Sequence, residues 1–304
     1  MSSGRIAAAV LCTTAVCAVI VCGAVFVGNH ISGNRESGQT TEEIKMDGMQ
    51  DIPQEEISVL EQKAPREKED ITVSIMGDSI STFQGYIPEG YYEFFPGNGL
   101  VSDVDDTWWK RILDEKGWTL CVNGSSSGAT CAGDSTSQDN PQCGCNEFRT
   151  GGLSGPDGAA PDIIIVYMGT NDFLQSIPLG DNDGKRPVSE GQVSMFGDAY
   201  TLMLDKLQAK YPSSEIYCCT ITQIGNYGTD TPFVEMVNGE GLTAADYSAR
   251  IEQIAENKNL PVIDLYGCGI TVENLHNTSA DGVHPKPDGM KYIAEAVGKV
   301  LDLR

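Results

Sequence analysis

Four short blocks of the sequence carry residue types whose spacing fits acyl chemistry at a carbonyl carbon. Gly77-Asp78-Ser79-Ile80 offers a hydroxyl that attacks once a base removes its proton. Asn123 to Thr130 (NGSSSGAT) contains Gly128, whose backbone N–H can approach a substrate closely because no side chain intervenes. Gly169-Thr170-Asn171-Asp172 adds a side-chain amide as a second donor. Two such donors beside a nucleophile hold the oxyanion of a tetrahedral intermediate, each contributing typically ~3 to 4 kcal/mol. Asp281-Gly282-Val283-His284-Pro285 places a carboxylate three residues ahead of a histidine. Such an acid can reach Nδ1, fix the tautomer and leave Nε2 to take the serine proton. The chain holds His30, His276 and His284; His30 falls in a polar segment, and of the other two only His284 has an aspartate three residues ahead.

Taken singly, each block also reads as ordinary local structure. Ser79 would serve as a helix N-cap, the Gly128 and Asn171 loops as turns, and His284 as a loop histidine satisfied by its neighbour. What joins the blocks is the pattern of elements around them. Short β-rich apolar runs at Ile71 to Met76, Thr119 to Val122, Asp162 to Tyr167, Glu215 to Ile221 and Pro261 to Leu265 predict strands. Amphipathic stretches at Thr107 to Lys116, Val193 to Lys210, Thr243 to Asn257 and Pro287 to Leu301 predict helices. Apolar strands separated by helices require a parallel sheet covered on both faces, an α/β class three-layer α/β/α sandwich of about five strands. Ligands bind such sheets at the carboxyl ends of the strands. Three of the blocks follow a predicted strand and the fourth precedes the last helix. Ser81 stands where the second glycine of a Gly-x-Ser-x-Gly elbow would be, which argues against the common α/β-hydrolase fold.

From Ile71 to about Leu303 the chain resembles the SGNH/GDSL hydrolase family, most specifically in GDSI, GTND and DGVHP. The resemblance implies a flavodoxin-like sheet with Ser79 as nucleophile, His284 as base and Asp281 as its orienting partner. It further implies an oxyanion hole from the backbone N–H of Ser79 and Gly128 and the side chain of Asn171, and no metal or organic cofactor. Ile80 departs conservatively from the leucine of the family name. The implied reaction is ester hydrolysis through an acyl-enzyme, expected on short acyl groups such as acetyl on carbohydrate. An acyltransferase using the same residues, a lipase or thioesterase, and a non-catalytic glycan-binding module are the other readings.

Charge limits the partners. Lys and Arg number 20 against 43 Asp and Glu, a net charge of −23. No stretch is basic enough to hold a phosphate backbone, so no nucleic acid is expected as a partner, and a small-molecule or glycan ester is. Residues 1–28 contain Ile6 to Val27, 22 residues without charge, which as a helix span roughly 30 Å and predict a membrane anchor or an unusually long signal segment. Arg5 before the span favours export of the rest, so the expected location is membrane-anchored with the catalytic domain outside the cytoplasm, or secreted after cleavage. Residues 29–70 read as a polar, acidic linker, and 71–304 as the hydrolase domain.

Several features invite other readings. Seven cysteines follow the apolar span, an odd number that excludes complete intramolecular pairing. Three of them, Cys131, Cys143 and Cys145, lie in a Gly/Ser/Asp-rich insertion expected near the site mouth, where a disulfide is one option and buried thiols the other. Cys218 and Cys219 read as packing residues in a strand. Leu179 to Glu190 imitates a calcium loop, but Leu179 occupies the first ligand position, so a solvated loop is expected. Trp108 and Trp109 open a helix, with one expected in the core. Tyr86, Tyr91, Tyr92, Phe94 and Phe95 follow the nucleophile block closely and could line an acyl pocket, stack on a sugar or pack a lid.

Overall fold

A computed structural model describes residues 71–97, 100–225 and 234–303. The apolar run Ile6 to Val27 and the linker 29–70 lie outside the described residues. Among the described residues no helix is long and apolar enough to cross a membrane.

Five strands form one parallel sheet: β1 (Thr72–Gly77), β2 (Thr119–Asn123), β4 (Ile163–Tyr167), β6 (Glu215–Cys219) and β7 (Val262–Ile263), in the order β2-β1-β4-β6-β7. Between them in sequence, β3 (Gly133–Asp134) and β5 (Gln192–Val193) make a small antiparallel ladder. The helices are α1 (Trp108–Lys116), α2 (Glu147–Gly151), α3 (Thr170–Leu174), α4 (Phe196–Lys210), α5 (Ala244–Asn257), α6 (Leu275–Thr278) and α7 (Pro287–Leu301). This is the three-layer α/β/α sandwich that the alternation of apolar runs implies, with the flavodoxin-like sheet that the family resemblance implies.

The central strands are apolar on both faces because helices cover both. All five residues of β4 are buried, and β1 is buried from Val73 onward. Local signals set the helix ends. Thr107 caps α1 by accepting from the Lys110 N–H, and Gly117 closes it with φ 65°. Thr243 and Asp246 form a capping box on α5, and Pro287 opens α7. Trp108 and Trp109 are both buried, where the sequence pattern reserved the core for one. The indole of Trp108 lies under the turn at 79–81, donating from Nε1 to Ser81 Oγ at 3.1 Å.

Strand β1 lies between β2 and β4, and the chain crosses from β1 to β2 on one side and then to β4 on the other. That reversal opens a crevice at the carboxyl end of β1. The loops after β2 and β4 flank the loop after β1, so residues separated by tens of positions in sequence converge there. The expected helix from Val193 begins only at Phe196, because Gln192 and Val193 pair with Asp134 and Gly133.

Candidate active site

Ser79 opens a single 3-10 turn, Ser79–Ser81, directly after β1. Asp78 caps the turn by accepting the Ile80 N–H at 3.0 Å on Oδ1. The glycine before it is required for a reason the sequence did not suggest. Gly77 is the last residue of β1 and has no left-handed backbone. A Cβ there would sit 2.7 Å from Ser125 Oγ and 2.8 Å from Ser81 Oγ, so only glycine lets the loop after β2 close on the nucleophile strand.

His284 reaches this turn from the other end of the domain. Its Nε2 is 2.9 Å from Ser79 Oγ, and its Nδ1 is 2.6 Å from Asp281 Oδ2. The second Asp281 oxygen, Oδ1, accepts the backbone N–H of Val283 at 2.9 Å and of His284 at 2.6 Å. Asp281 and His284 thus sit on the tip of one loop, closed at its foot by a bridge between Ser279 and Pro285. Burial alone would raise the Asp281 pKa, but the hydrogen bonds from the His284 side chain and backbone outweigh it, and the net shift is downward. An ionised Asp281 on Nδ1 keeps the proton there and leaves Nε2 free to accept from Ser79. Ser79 itself is 4% exposed.

The expected oxyanion donors lie on the two flanking loops. The glycine loop is drawn against β1 by the Ser126 N–H, which donates to the Gly77 carbonyl at 3.2 Å. Gly128 has φ +81°, a conformation that glycine adopts without strain. Asn171 is the second residue of α3, and its Nδ2 donates to the Ala129 carbonyl at 3.0 Å, leaving its other amide hydrogen for a further acceptor. Ser79, Asp281 and His284 are therefore joined directly, and Asn171 is joined to the Gly128 loop through Ala129.

Three buried charged groups that the sequence reading did not assign hold this arrangement. Asp172 accepts the Cys131 N–H at 2.7 Å on Oδ2 and the Ala132 N–H at 3.1 Å on Oδ1, tying α3 to the glycine loop. Burial pushes its carboxyl up to about 7 despite those bonds. Arg149 of α2 is fully buried, and its Nη2 donates to the Gly77 carbonyl at 2.9 Å. Its guanidinium lies 5.5 Å from the centre of the Tyr91 ring. Asp78 is the third: burial pushes its carboxyl up to about 6, against the pull of the Ile80 N–H, the Thr170 hydroxyl, His284 and Arg149. Asp78 Oδ2 and Thr170 Oγ1 are both buried without a hydrogen bond of normal geometry. Asp172 stood in plain sight beside Asn171, whereas nothing in the sequence distinguishes Arg149.

A model of the GDSL-like lipase/acylhydrolase family matches residues 71–235. The chain belongs to this family. Solved structures agree: one described as a GDSL-like lipase from Bacteroides ovatus shares 26% identity at a TM-score of 0.56, covering 77% of this chain and 99% of that one. A second, from Bacteroides uniformis, shares 25% identity at a TM-score of 0.57, covering 77% of this chain and 97% of that one. A carbohydrate acetylesterase family member from Sinorhizobium meliloti, 16% identical at a TM-score of 0.51 over 77% of this chain and 98% of its own, shares the fold. No curated protein matches the sequence. As a GDSL-like acylhydrolase the chain is an ester hydrolase.

The remaining candidates fall outside this constellation. His276 contributes its carbonyl to Lys286 Nζ at 2.8 Å and takes no part in the Ser79 relay. All seven cysteines of the described residues are free; Cys143 and Cys145 approach to 3.6 Å between sulfurs, and Cys218 and Cys219 are packed in the core. In the calcium-like loop, Asp181 pairs with Arg186, Asp183 with Lys185 and Glu190 with Lys206 of α4, so its acids are engaged by bases. Among the described residues no group of three or more His, Cys, Asp or Glu could hold a metal ion.

Proposed function

We propose that this GDSL-like acylhydrolase is a serine esterase that cleaves short-chain acyl esters, acetyl in particular, through an acyl-enzyme, with carbohydrate as the alcohol. The observation that carries the mechanism is the continuous relay from Ser79 Oγ to His284 Nε2 at 2.9 Å and from His284 Nδ1 to Asp281 Oδ2 at 2.6 Å. His284 takes the Ser79 proton as Oγ attacks the ester carbonyl. The negative charge moves to the carbonyl oxygen, which the N–H groups of Ser79 and Gly128 and the amide of Asn171 receive. The tetrahedral intermediate collapses, the carbonyl–alkoxy bond breaks, and the imidazolium returns its proton to the departing alcohol. Water then attacks the acyl-enzyme with His284 again as base, releasing the acid and restoring Ser79.

Support for a sugar as alcohol comes from Tyr92, 57% exposed and anchored at the glycine loop by Ser127 N–H donating to its carbonyl at 2.7 Å. An exposed aromatic side chain on the segment that meets the glycine loop suits the apolar face of a pyranose ring. The apolar run Ile6 to Val27 supports anchoring in a membrane, with the acidic linker carrying the domain outside the cytoplasm.

The test is hydrolysis of p-nitrophenyl acetate, butyrate and octanoate by the parent, Ser79→Ala and His284→Ala, followed by acetate release from acetylated xylo-oligosaccharide. The expected order is acetate over butyrate over octanoate, with both variants inactive. A folded but inert parent, or variants matching it, refutes the mechanism. Octanoate as the best substrate refutes the short-chain assignment, and transfer to an added sugar in place of hydrolysis refutes the hydrolase in favour of the acyltransferase.

A further inference from the structure

Two edges of the His284 imidazole are taken by Asp281 and Ser79, and one face is taken by a group that the relay does not include. The ring of Phe94 lies on that face, with centroids 3.7 Å apart and planes 13° apart. Phe94 is carried by a segment bonded to both of the loops that the base must meet. Its backbone N–H donates to Thr82 Oγ1 at 2.9 Å, and the same hydroxyl donates to the carbonyl of Ser79 at 3.0 Å. Two residues earlier, the Tyr92 N–H donates to Ser126 Oγ at 3.2 Å, and the Ser127 N–H returns a bond to the Tyr92 carbonyl. Behind it, the Gln84 N–H donates to the Phe95 carbonyl at 2.9 Å, and Phe95 is fully buried. Residues 91–95 therefore form a strap whose position is fixed by the nucleophile turn and the glycine loop, and whose one ring facing the base is Phe94.

We propose that Phe94 is a positioning residue for His284. Stacked on the imidazole, it sets the tilt at which Nε2 meets Ser79 Oγ and shelters that face from water. It also favours the imidazolium, since a cation over an aromatic face is attracted by the ring quadrupole. The imidazolium exists only once the Ser79 proton has moved, so this attraction is stronger in the transition state than in the resting enzyme and acts on kcat rather than KM. The inference rests on His284 being the base.

The test compares Phe94→Leu, Phe94→Tyr and Phe94→Trp in the full chain, with p-nitrophenyl acetate as substrate and His284→Ala alongside. Phe94→Leu keeps an apolar side chain but removes the ring, and is expected to lower kcat about tenfold with KM within twofold of the parent. Phe94→Tyr and Phe94→Trp restore the ring and are expected to return kcat to within about threefold. If Phe94→Leu does not fold, Phe94→Met takes its place. Parent-like kcat in Phe94→Leu, equal impairment in all three variants, or a loss confined to KM overturns the proposal. An active His284→Ala overturns the assignment of the base itself, which separates the two failures.

Discussion

Asp78→Asn separates the cost of a buried charge from the work of the turn it caps. Asp78 ionises near 6 in the folded protein against 3.8 in the free side chain. At 1.36 kcal/mol per pKa unit, its ionisation costs the folded state about 3 kcal/mol at pH 8. The folded chain holds the Asp78 proton more tightly than the unfolded chain, so between pH 3.8 and 6 it binds more protons. Stability from this group therefore falls as pH rises through that window, and the full cost is present above it. The amide introduced by Asp78→Asn would keep an oxygen for the Ile80 N–H and place an NH₂ group beside the Thr170 hydroxyl, where Oδ2 now makes no hydrogen bond of normal geometry, with no charge to bury. The substitution would also deprive Arg149 of a nearby countercharge, an effect confined to the ionised form of Asp78 and opposed to the burial cost already counted in its raised pKa. The difference in stability between Asp78→Asn and the parent should thus grow by about 2 kcal/mol between pH 4.5 and pH 8. For a domain of this size that is about 4 to 8 °C in melting temperature. Thermal unfolding of both proteins, followed by circular dichroism at the two pH values, measures it. A melting difference that is the same at both values would refute a buried, reluctantly ionised Asp78.

Further outcomes follow from the geometry of the relay. Asp281→Asn removes the charge that fixes the imidazole tautomer, and steady-state kinetics should show kcat lowered by about 10⁴ with the fold retained. Asn171→Ala removes one oxyanion donor and should cost about 10² to 10³ in kcat with little change in KM. Gly282→Ala introduces a Cβ 2.2 Å from the Gly225 carbonyl oxygen at a residue with φ +80°. It should push the loop that carries Asp281 and His284 off the sheet, lowering kcat at least tenfold and stability by about 1 to 3 kcal/mol in denaturant titration.

The parts of the molecule that repeat a period were legible in the sequence, and those that depend on one contact were not. Every strand of the central sheet announced itself as an apolar run, and α1, α5 and α7 matched their amphipathic stretches to within a residue, because burial on both faces of a sheet leaves a compositional trace. The helices α2, α3 and α6 are four or five residues long, too short to complete an apolar stripe. The ladder of β3 and β5 is two residues wide and has no pattern to show. The convergence of Ser79, Asp281 and His284 could be read because their spacing relative to strands and helices is itself chemical information. Arg149 could not, since its oxygen partners are the backbone carbonyls of Pro141 and Gly77, groups that every residue possesses. Phe94 was visible as an aromatic residue near the nucleophile, but the face it covers is decided by hydrogen bonds of Thr82, Ser126 and Ser127 that no single side chain advertises.

The hydrogen bond between Ser79 and His284 joins residues 205 positions apart, the nucleophile on the first strand's trailing turn and the base just ahead of the last helix. During synthesis the serine, its turn and both oxyanion loops emerge long before the imidazole that activates them. On the proposed mechanism, any product truncated before residue 284 is chemically silent, whatever part of the sheet it has managed to assemble. Activity that appears during refolding then reports docking of the loop that carries Asp281 and His284.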